Sequence, residues 1–593
     1  MAPATKIAVA LTAALLLSLA ADAGSQEEAF FSDAVEVELV LVDVFVSGRG
    51  GEPVLDLRRE DFLLFEDGER VEIEQFSVIR GSAGSGGATI STTLSDGETL
   101  AADGSEMSPA RVVVFIDDLN LGAGRRKRVF EQLQKVLEKQ LRPEDEVMVV
   151  NYTGVVETLM PFTADRRQLK DSLRQAGDPR AMAITASLGE DRILQLIEQR
   201  HASETQSAGF TSGDPCVDLG FIARTHAEQV YGRVQRSASE LSLFVKSLAG
   251  YPGRKVLLHI SDGLPLIAGL EAYSYAIELC DGTGFNKGVP GAVDTQQFGT
   301  GRYTRWDPTR AWAELTQFNS TDEFTALTAD ANTYQVSIYA VQALGLSGRS
   351  RGDVDRPMTS QETATTAFLN SQDPLFLMAD ETGGQAILNT NDFEPAFADM
   401  VQDTRQGYQL AFTPSQPSDG KQHQLRVEVG RPGAEVRYRK SYRRKTADER
   451  VADSVLSSLF HNLQENPLGA WLEAGEREPV TRNVTNLTVR VHIPLSGLIT
   501  VPEGNLLRGR FTVFLGVKDG NGSIMPVRMK TLPFSITSSD LEQDPDREYV
   551  YEMEIPVRGK DAVVSVAVRD ELGGGASYVN QVVPLREETP ESG

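Results

Sequence analysis

Two short apolar runs end in acid, and they carry the strongest chemical signal in the chain. RVVVFI leads into Asp117-Asp118-Leu119-Asn120, and RKVLLHI leads into Ser261-Asp262-Gly263. Runs of this length without a polar interruption read as strands covered on both faces. In an open α/β sheet, ligands gather outside the carboxyl ends of such strands, where loops converge. If the two strands are neighbours, Asp117 and Asp262 project into one crevice at that edge. The alternative is that both carboxylates only cap loops, accepting backbone N–H groups at strand ends.

Signals for catalysis are sparse. The six histidines, His201, His226, His259, His423, His461 and His492, are scattered, and none lies in H-E-x-x-H. No G-x-S-x-G elbow or phosphate-binding glycine loop occurs. His259 stands two positions from Ser261 on the same face of a buried strand, which is the setting of a core histidine rather than of a triad base. The chain is expected not to be an enzyme.

A second candidate surface follows Asp262. Residues 264–320 form an insertion with no regular period, rich in aromatic side chains. A long loop tethered to a crevice edge is commonly functional, and Tyr and Trp give contact area at low entropic cost. Tyr303, Trp306, Trp312, Tyr273 and Tyr275 are therefore candidate partner-binding residues. The same rings could instead form a private core for the insertion. Arg351-Gly352-Asp353, a tripeptide recognised by some adhesion receptors, reads as coincidence. The basic run Arg125 to Arg128 reads as a solvated helix face.

Alternating strands and helices must position these groups. After RVVVFI, Val129, Leu133, Val136, Leu137 and Leu141 fall at helical spacing before Pro143. EVMVVNY and VVETLMPF then suggest a hairpin about Thr153-Gly154. Helices are expected near 164–175, 190–201 and 219–248, and YQVSIYAV and QAILN supply later strands. The alternation implies a mainly parallel, doubly wound α/β sheet over 109–405, with helices on both faces.

The flanks read as β structure. Residues 24–80 form an N-terminal β segment, 81–108 a Gly/Ser/Thr-rich flexible linker, and 406–445 a second β segment of three alternating stretches, GYQLAF, HQLRVEV and AEVRYRKSY. Residues 446–479 read as a helical connector. Residues 480–588 read as a C-terminal β-sandwich whose clearest hairpin turn is Asp519-Gly520-Asn521-Gly522. Neither short β segment has enough strands to bury a core, so 24–80 and 407–443 could pair into one sandwich into which the α/β unit is inserted.

Composition sets the class and the compartment. The 593 residues are 40% hydrophobic and 24% charged, which is globular composition on a chain too long for one core. Lys plus Arg total 58 against 84 Asp plus Glu, a net charge of -26 that disfavours nucleic acid and anionic lipid as partners. Lys6, the run IAVALTAALLLSLA and Ala21-Asp22-Ala23 read as a signal peptide over 1–23, cleaved after Ala23. The run falls short of the roughly 20 apolar residues that span a bilayer, and no later segment reaches that length. A secreted or periplasmic protein without a membrane span is expected. In that compartment Cys216 and Cys280, the only two cysteines, are expected to form a disulfide; the alternative is two buried thiols.

Residues 111 to about 405 resemble the von Willebrand factor type A domain. The likeness lies in a first strand ending in Asp, a helix, a hairpin-like strand pair, a later strand ending in SDG, and a strand of the IYAV type. The phrases VDVFVSGRGGEPVLDLRREDFLLFEDGE, FIDDLN, GRKVLLHISDG, ADETGGQAI and GYQLAFTP resemble a group of bacterial secreted proteins called VWFA-related, in order and spacing across most of residues 42–414. The resemblance implies a metal-ion-dependent adhesion site, in which an Asp-x-Ser-x-Ser motif, a Thr and a second Asp hold a cation such as Mg²⁺ through oxygens. Asp117 matches the first Asp and Asp262 the last. Leu119 and Leu121 occupy the two serine positions, where hydrocarbon cannot ligate; Asp118 and Asn120 could offer oxygens in a shifted register. The expected function is extracytoplasmic protein binding or adhesion through a degenerate site, toward an unidentified protein partner. The alternative is a structural scaffold component of a cell-envelope assembly, and a hydrolase is the third reading.

Overall fold

A computed structural model describes residues 39–81, 88–94, 99–105, 109–122, 126–177, 192–203, 215–251, 253–282, 308–345, 359–415, 420–461 and 465–585. The expected signal peptide, Tyr303, Trp306 and the Arg-Gly-Asp tripeptide lie outside the described residues.

At the centre is a six-stranded sheet in the order Ala386–Ile387, Val336–Gln342, Lys255–Ser261, Arg111–Asp117, Glu146–Tyr152, Val156–Thr163. All neighbours pair in parallel except Val156–Thr163, which returns antiparallel beside Glu146–Tyr152. Alternate residues of each strand feed two separate apolar cores, because successive side chains point to opposite faces. Val113, Phe115, Met148, Val150 and Leu257 pack with the helices Pro215–Ser247, Leu270–Gly282, Thr321–Thr333 and Gln361–Glu381. Val112, Val114, Ile116, Val149 and Leu258 pack with Arg126–Gln140, Arg166–Gly177 and Glu394–Asp403. The uninterrupted apolar runs follow from cover on both faces.

The strands before and after this unit interleave. Val40–Ser47 lies between Gln406–Phe412 and Glu435–Tyr438, and Gln75–Gly81 pairs with the far side of Gln406–Phe412. In a second sheet, Phe62–Glu66 pairs with Gln422–Val429. Val42, Val44, Leu64, Tyr408, Leu410, Phe412 and Val427 share the core between the two sheets. The two junction chains are held to the α/β unit by ion pairs, Arg254 to Asp43 at 2.7 Å and Arg437 to Asp403 at 2.7 Å.

Four expectations are corrected. Part of the expected linker 81–108 is strand: Ala88–Leu94 and Thr99–Ser105 extend the first sheet from Gln75–Gly81. Backbone pairing onto an existing edge needs no apolar alternation, and Thr and Ile suit it. AEVRYRKSY is two strands, because the chain passes at Arg439-Lys440 from one sheet to the other, where Ser441–Arg443 pairs with Gln422–Val429. The helical connector stops at Ala447–His461, and the last sandwich begins earlier than expected, with Trp471–Thr481. That strand lies at a sheet edge with charged residues outward, so its alternation is hidden. Finally, the insertion begins with the helix Leu270–Gly282, which shows no period because its residues are apolar nearly all round.

The C-terminal sandwich has one sheet of Trp471–Thr481, Val484–Pro494 and Glu548–Arg558, and another built on Leu506–Asp519, Ile524–Thr537, Asp561–Asp570 and Ala576–Pro584. Leu487, Val489, Phe511, Val513, Ile555 and Val566 fill the space between them. Helix Ala447–His461 lies on the outer face of the larger sheet, with Val451 and Val455 against Phe514 and Ala567. Its Ser457 hydroxyl also accepts from the N–H of Gly250 in the α/β unit at 3.2 Å.

Candidate functional site

Asp117 and Asp262 stand at the carboxyl ends of adjacent parallel strands, since Ile116 is in register with Ile260. The loop after Asp117 is a tight turn: the Asn120 N–H donates to the Asp117 carbonyl at 3.1 Å, and the Asp118 N–H donates to the Tyr152 carbonyl at 2.9 Å. The Asn120 side-chain amide donates to Asp117 Oδ2 at 2.9 Å. Asp262 reaches the same loop twice. Its N–H donates to the Asn120 carbonyl at 2.6 Å, and its Oδ2 accepts from the Gly122 N–H at 2.7 Å. The structure thus brings Asp117, Asn120 and Asp262 together.

The two leucines at the serine positions are anchors. Leu119 packs against the core on one face of the sheet, whereas Leu121, 1% exposed, is part of the core on the other. The loop straddles the sheet edge with one hydrocarbon side chain down each side. Asp118 is fully buried and forms an ion pair with Arg126, itself buried. Arg126 also donates from Nε and Nη2 to the Ala176 carbonyl, at 3.1 and 3.0 Å. This corrects the reading of the basic run as a solvated face at Arg126 alone, Lys127 and Arg128 being exposed: a buried carboxylate is tolerable only with a partner, and Arg126 is that partner. Nothing in the sequence distinguishes it from its exposed neighbour Lys127.

Burial governs the titration of this region. It pushes the Asp117 carboxyl up to about 7, against the Asn120 hydrogen bonds that favour the anion, while the Asp118 charge adds to the rise. Burial likewise pushes His259 down to about 4. The His259 ring stacks on Phe115, with centroids 5.7 Å apart, and its Nε2 lies 3.9 Å from Asp117 Oδ2. Ser261, fully buried, accepts on Oγ from the Gly263 N–H at 3.1 Å. Gly263 has φ of 118°, and a Cβ there would stand 2.4 Å from the Ser371 carbonyl oxygen, so the third residue of SDG has to be glycine.

Above this edge the chain builds a helical projection. Asn370 clamps its entry, accepting from the Ile267 N–H at 2.8 Å and donating back to the Ile267 carbonyl at 2.9 Å. Leu270–Gly282 then runs against the start of Pro215–Ser247, from Gly269 beside Ala227 to the disulfide Cys216–Cys280, whose Cα atoms are 5.9 Å apart. A disulfide supports an extracytoplasmic location. Tyr273 and Tyr275 are 0% and 3% exposed. They are core residues of the projection, which corrects their assignment to a partner surface: this helix packs on the main core and spends its rings there. Trp312 is 46% exposed, and Phe221 of the neighbouring helix, not singled out from sequence, is 69% exposed. Among the described residues, no three or more His, Cys, Asp or Glu side chains are placed to share a cation, and no helix is long and apolar enough to cross a membrane.

No family model matches the chain, and no curated protein matches it. Solved structures similar to it include an aerotolerance-related membrane protein from Bacteroides fragilis, 14% identical, covering 50% of this chain and 98% of that one, with a TM-score of 0.21. The pilus adhesin SpaC from Lactobacillus rhamnosus GG is 10% identical, covering 88% and 57%, with a TM-score of 0.24. Three N-terminal domains of the type V pili tip protein Mfa5 from Porphyromonas gingivalis are 10% identical, covering 87% and 76%, with a TM-score of 0.22. Likeness at this level carries no argument about fold or function.

Proposed function

We propose that the chain is a non-catalytic, extracytoplasmic protein-binding or adhesion protein, whose α/β unit is of von Willebrand factor A type with a degenerate metal-ion-dependent adhesion site. The observation that carries this reading is the loop Asp117–Gly122, in which both serine positions are leucines, Leu119 packed against one core and Leu121 buried in the other. Asp117, Asp118 and Asp262 each have partners within the protein, so a cation would have to displace internal bonds. His259 and Ser261 are too deeply buried to meet a substrate, which argues against the hydrolase reading. What the edge presents outward is the disulfide-tied projection, with Phe221 and Trp312 exposed.

The test is capture of envelope proteins by the intact chain, with and without chelator, against Phe221→Asp and Trp312→Asp. The reading expects chelator to have no effect and the substitutions to weaken capture. Loss of capture on chelation alone would restore a working cation site. Capture indifferent to both would favour the scaffold reading, which draws on helix Ala447–His461 joining the α/β unit to the last sandwich.

A further inference from the structure

The outer face of the smaller C-terminal sheet carries an arrangement unconnected with the Asp117 edge. Trp471, His492 and Val550 stand in one cross-strand row, and Glu473, Arg490 and Glu552 in the next. Trp471 is 43% exposed and Val550 49%. An exposed tryptophan is ordinarily mobile, but this one is held twice. Its ring stacks on His492 with centroids 3.6 Å apart and planes 13° from parallel, and its Nε1–H donates to Glu548 Oε1 at 2.7 Å. His492 is fixed in turn, with Nδ1 2.9 Å from Glu548 Oε2 and Nε2 3.2 Å from Glu473 Oε2. One indole face is covered by the imidazole, and the other is left as a rigid apolar plate.

We propose that this face binds a polysaccharide of flat, equatorially substituted sugar rings, stacking one pyranose on Trp471 and hydrogen-bonding its hydroxyls to the Glu473–Arg490–Glu552 row. The charges choose the ligand class. Arg490 bonds to Glu552 at 2.6 Å and lies 3.5 Å from Glu473, so acceptor, donor and acceptor alternate along the row. Three carboxylates against one guanidinium turn an anionic ligand away, and each of the three is already bonded to Arg490, His492 or Trp471, which leaves no unpaired carboxylate for a cationic one. A hydroxyl, which both donates and accepts, matches the alternation. The axial C–H groups of an all-equatorial pyranose form an apolar face that suits an indole. A plate fixed before binding spares the ligand the cost of ordering it.

The experiment is isothermal titration of the intact chain with cellohexaose, with maltohexaose and with hexalysine. Saturable binding of cellohexaose is expected, with maltohexaose weaker because its α-linked rings do not lie flat. Trp471→Ala should weaken binding by about tenfold or more. Because that substitution could disturb the strand, Glu552→Gln, at a side chain 56% exposed, serves as second variant and should weaken binding while leaving the unfolding midpoint unchanged. No saturable cellohexaose binding, binding unaffected by both substitutions, or Trp471-dependent binding of hexalysine in place of the sugar would overturn the proposal.

Discussion

The main-chain N–H of Asp262 donates to the carbonyl of Asn120 at 2.6 Å, across a gap of 142 positions in the sequence numbering. With Gly122 donating to the Asp262 carboxylate, this closes the loop after Asp117 onto the neighbouring strand. Asp262→Ala would leave the Gly122 N–H without its acceptor, a loss of about 1–3 kcal/mol in urea unfolding. Asp262→Asn keeps an oxygen there and should cost less. Equal losses for the two would mean that the bond contributes little.

Asp117 and His259 make opposite contributions to pH dependence. Asp117 is raised from an ordinary 3.8 to about 7, so the folded state holds the proton more tightly and loses stability as pH rises through that interval. His259 is lowered from 6.5 to about 4, so folding is favoured as pH rises through that range. Asp117→Asn removes the first contribution and should steepen the rise in unfolding free energy between pH 4 and pH 6.5. The same slope as in the parent protein would refute the assigned shift.

The hydrocarbon anchors should matter in proportion to their burial. Leu121→Ala should cost about 2–5 kcal/mol, the range for truncating a buried leucine. Leu119, only partly buried, should cost less on the same truncation. Chemical denaturation of both variants checks the order, and a reversed order would mean that the loop is seated otherwise.

Gly263→Ala places a methyl group against the Ser371 carbonyl at a φ that L residues avoid. A loss of roughly 2–4 kcal/mol is expected from strain and overlap together. A thermal midpoint like that of the parent would show that the turn can relax.

Cys216 and Cys280 close a loop of 64 positions. Replacing both with serine should lower the unfolding free energy by roughly 4 kcal/mol in the chain-entropy account. Both cysteines are under 10% exposed, so reductant should act on the folded protein slowly, and faster in moderate urea. Rapid reduction without denaturant would contradict that burial.

What could be read from the sequence follows from how each signal arises. The strands ending at Asp117 and Asp262 were legible because cover on both faces forces unbroken apolar runs, and the helices 166–177, 192–203 and 215–247 lie close to their expected places. Trp471–Thr481 was missed because an edge strand facing water carries its charges in the pattern. Leu270–Gly282 was missed for the opposite reason, with too much of it buried to show a stripe. At the site, the pairing of Asp262 with Asn120 and of Arg126 with Asp118 depends on backbone register and helix docking, which residue types alone do not encode.

The interleaving of Val40–Ser47 between Gln406–Phe412 and Glu435–Tyr438 has a mechanical meaning. Tension applied along the polypeptide from its first strand to its last sandwich would be borne by those sheet hydrogen bonds before it reached the α/β unit. The inserted unit hangs outside the line of force, so its carboxyl edge would keep its shape under a pull that begins to unzip the strands holding it.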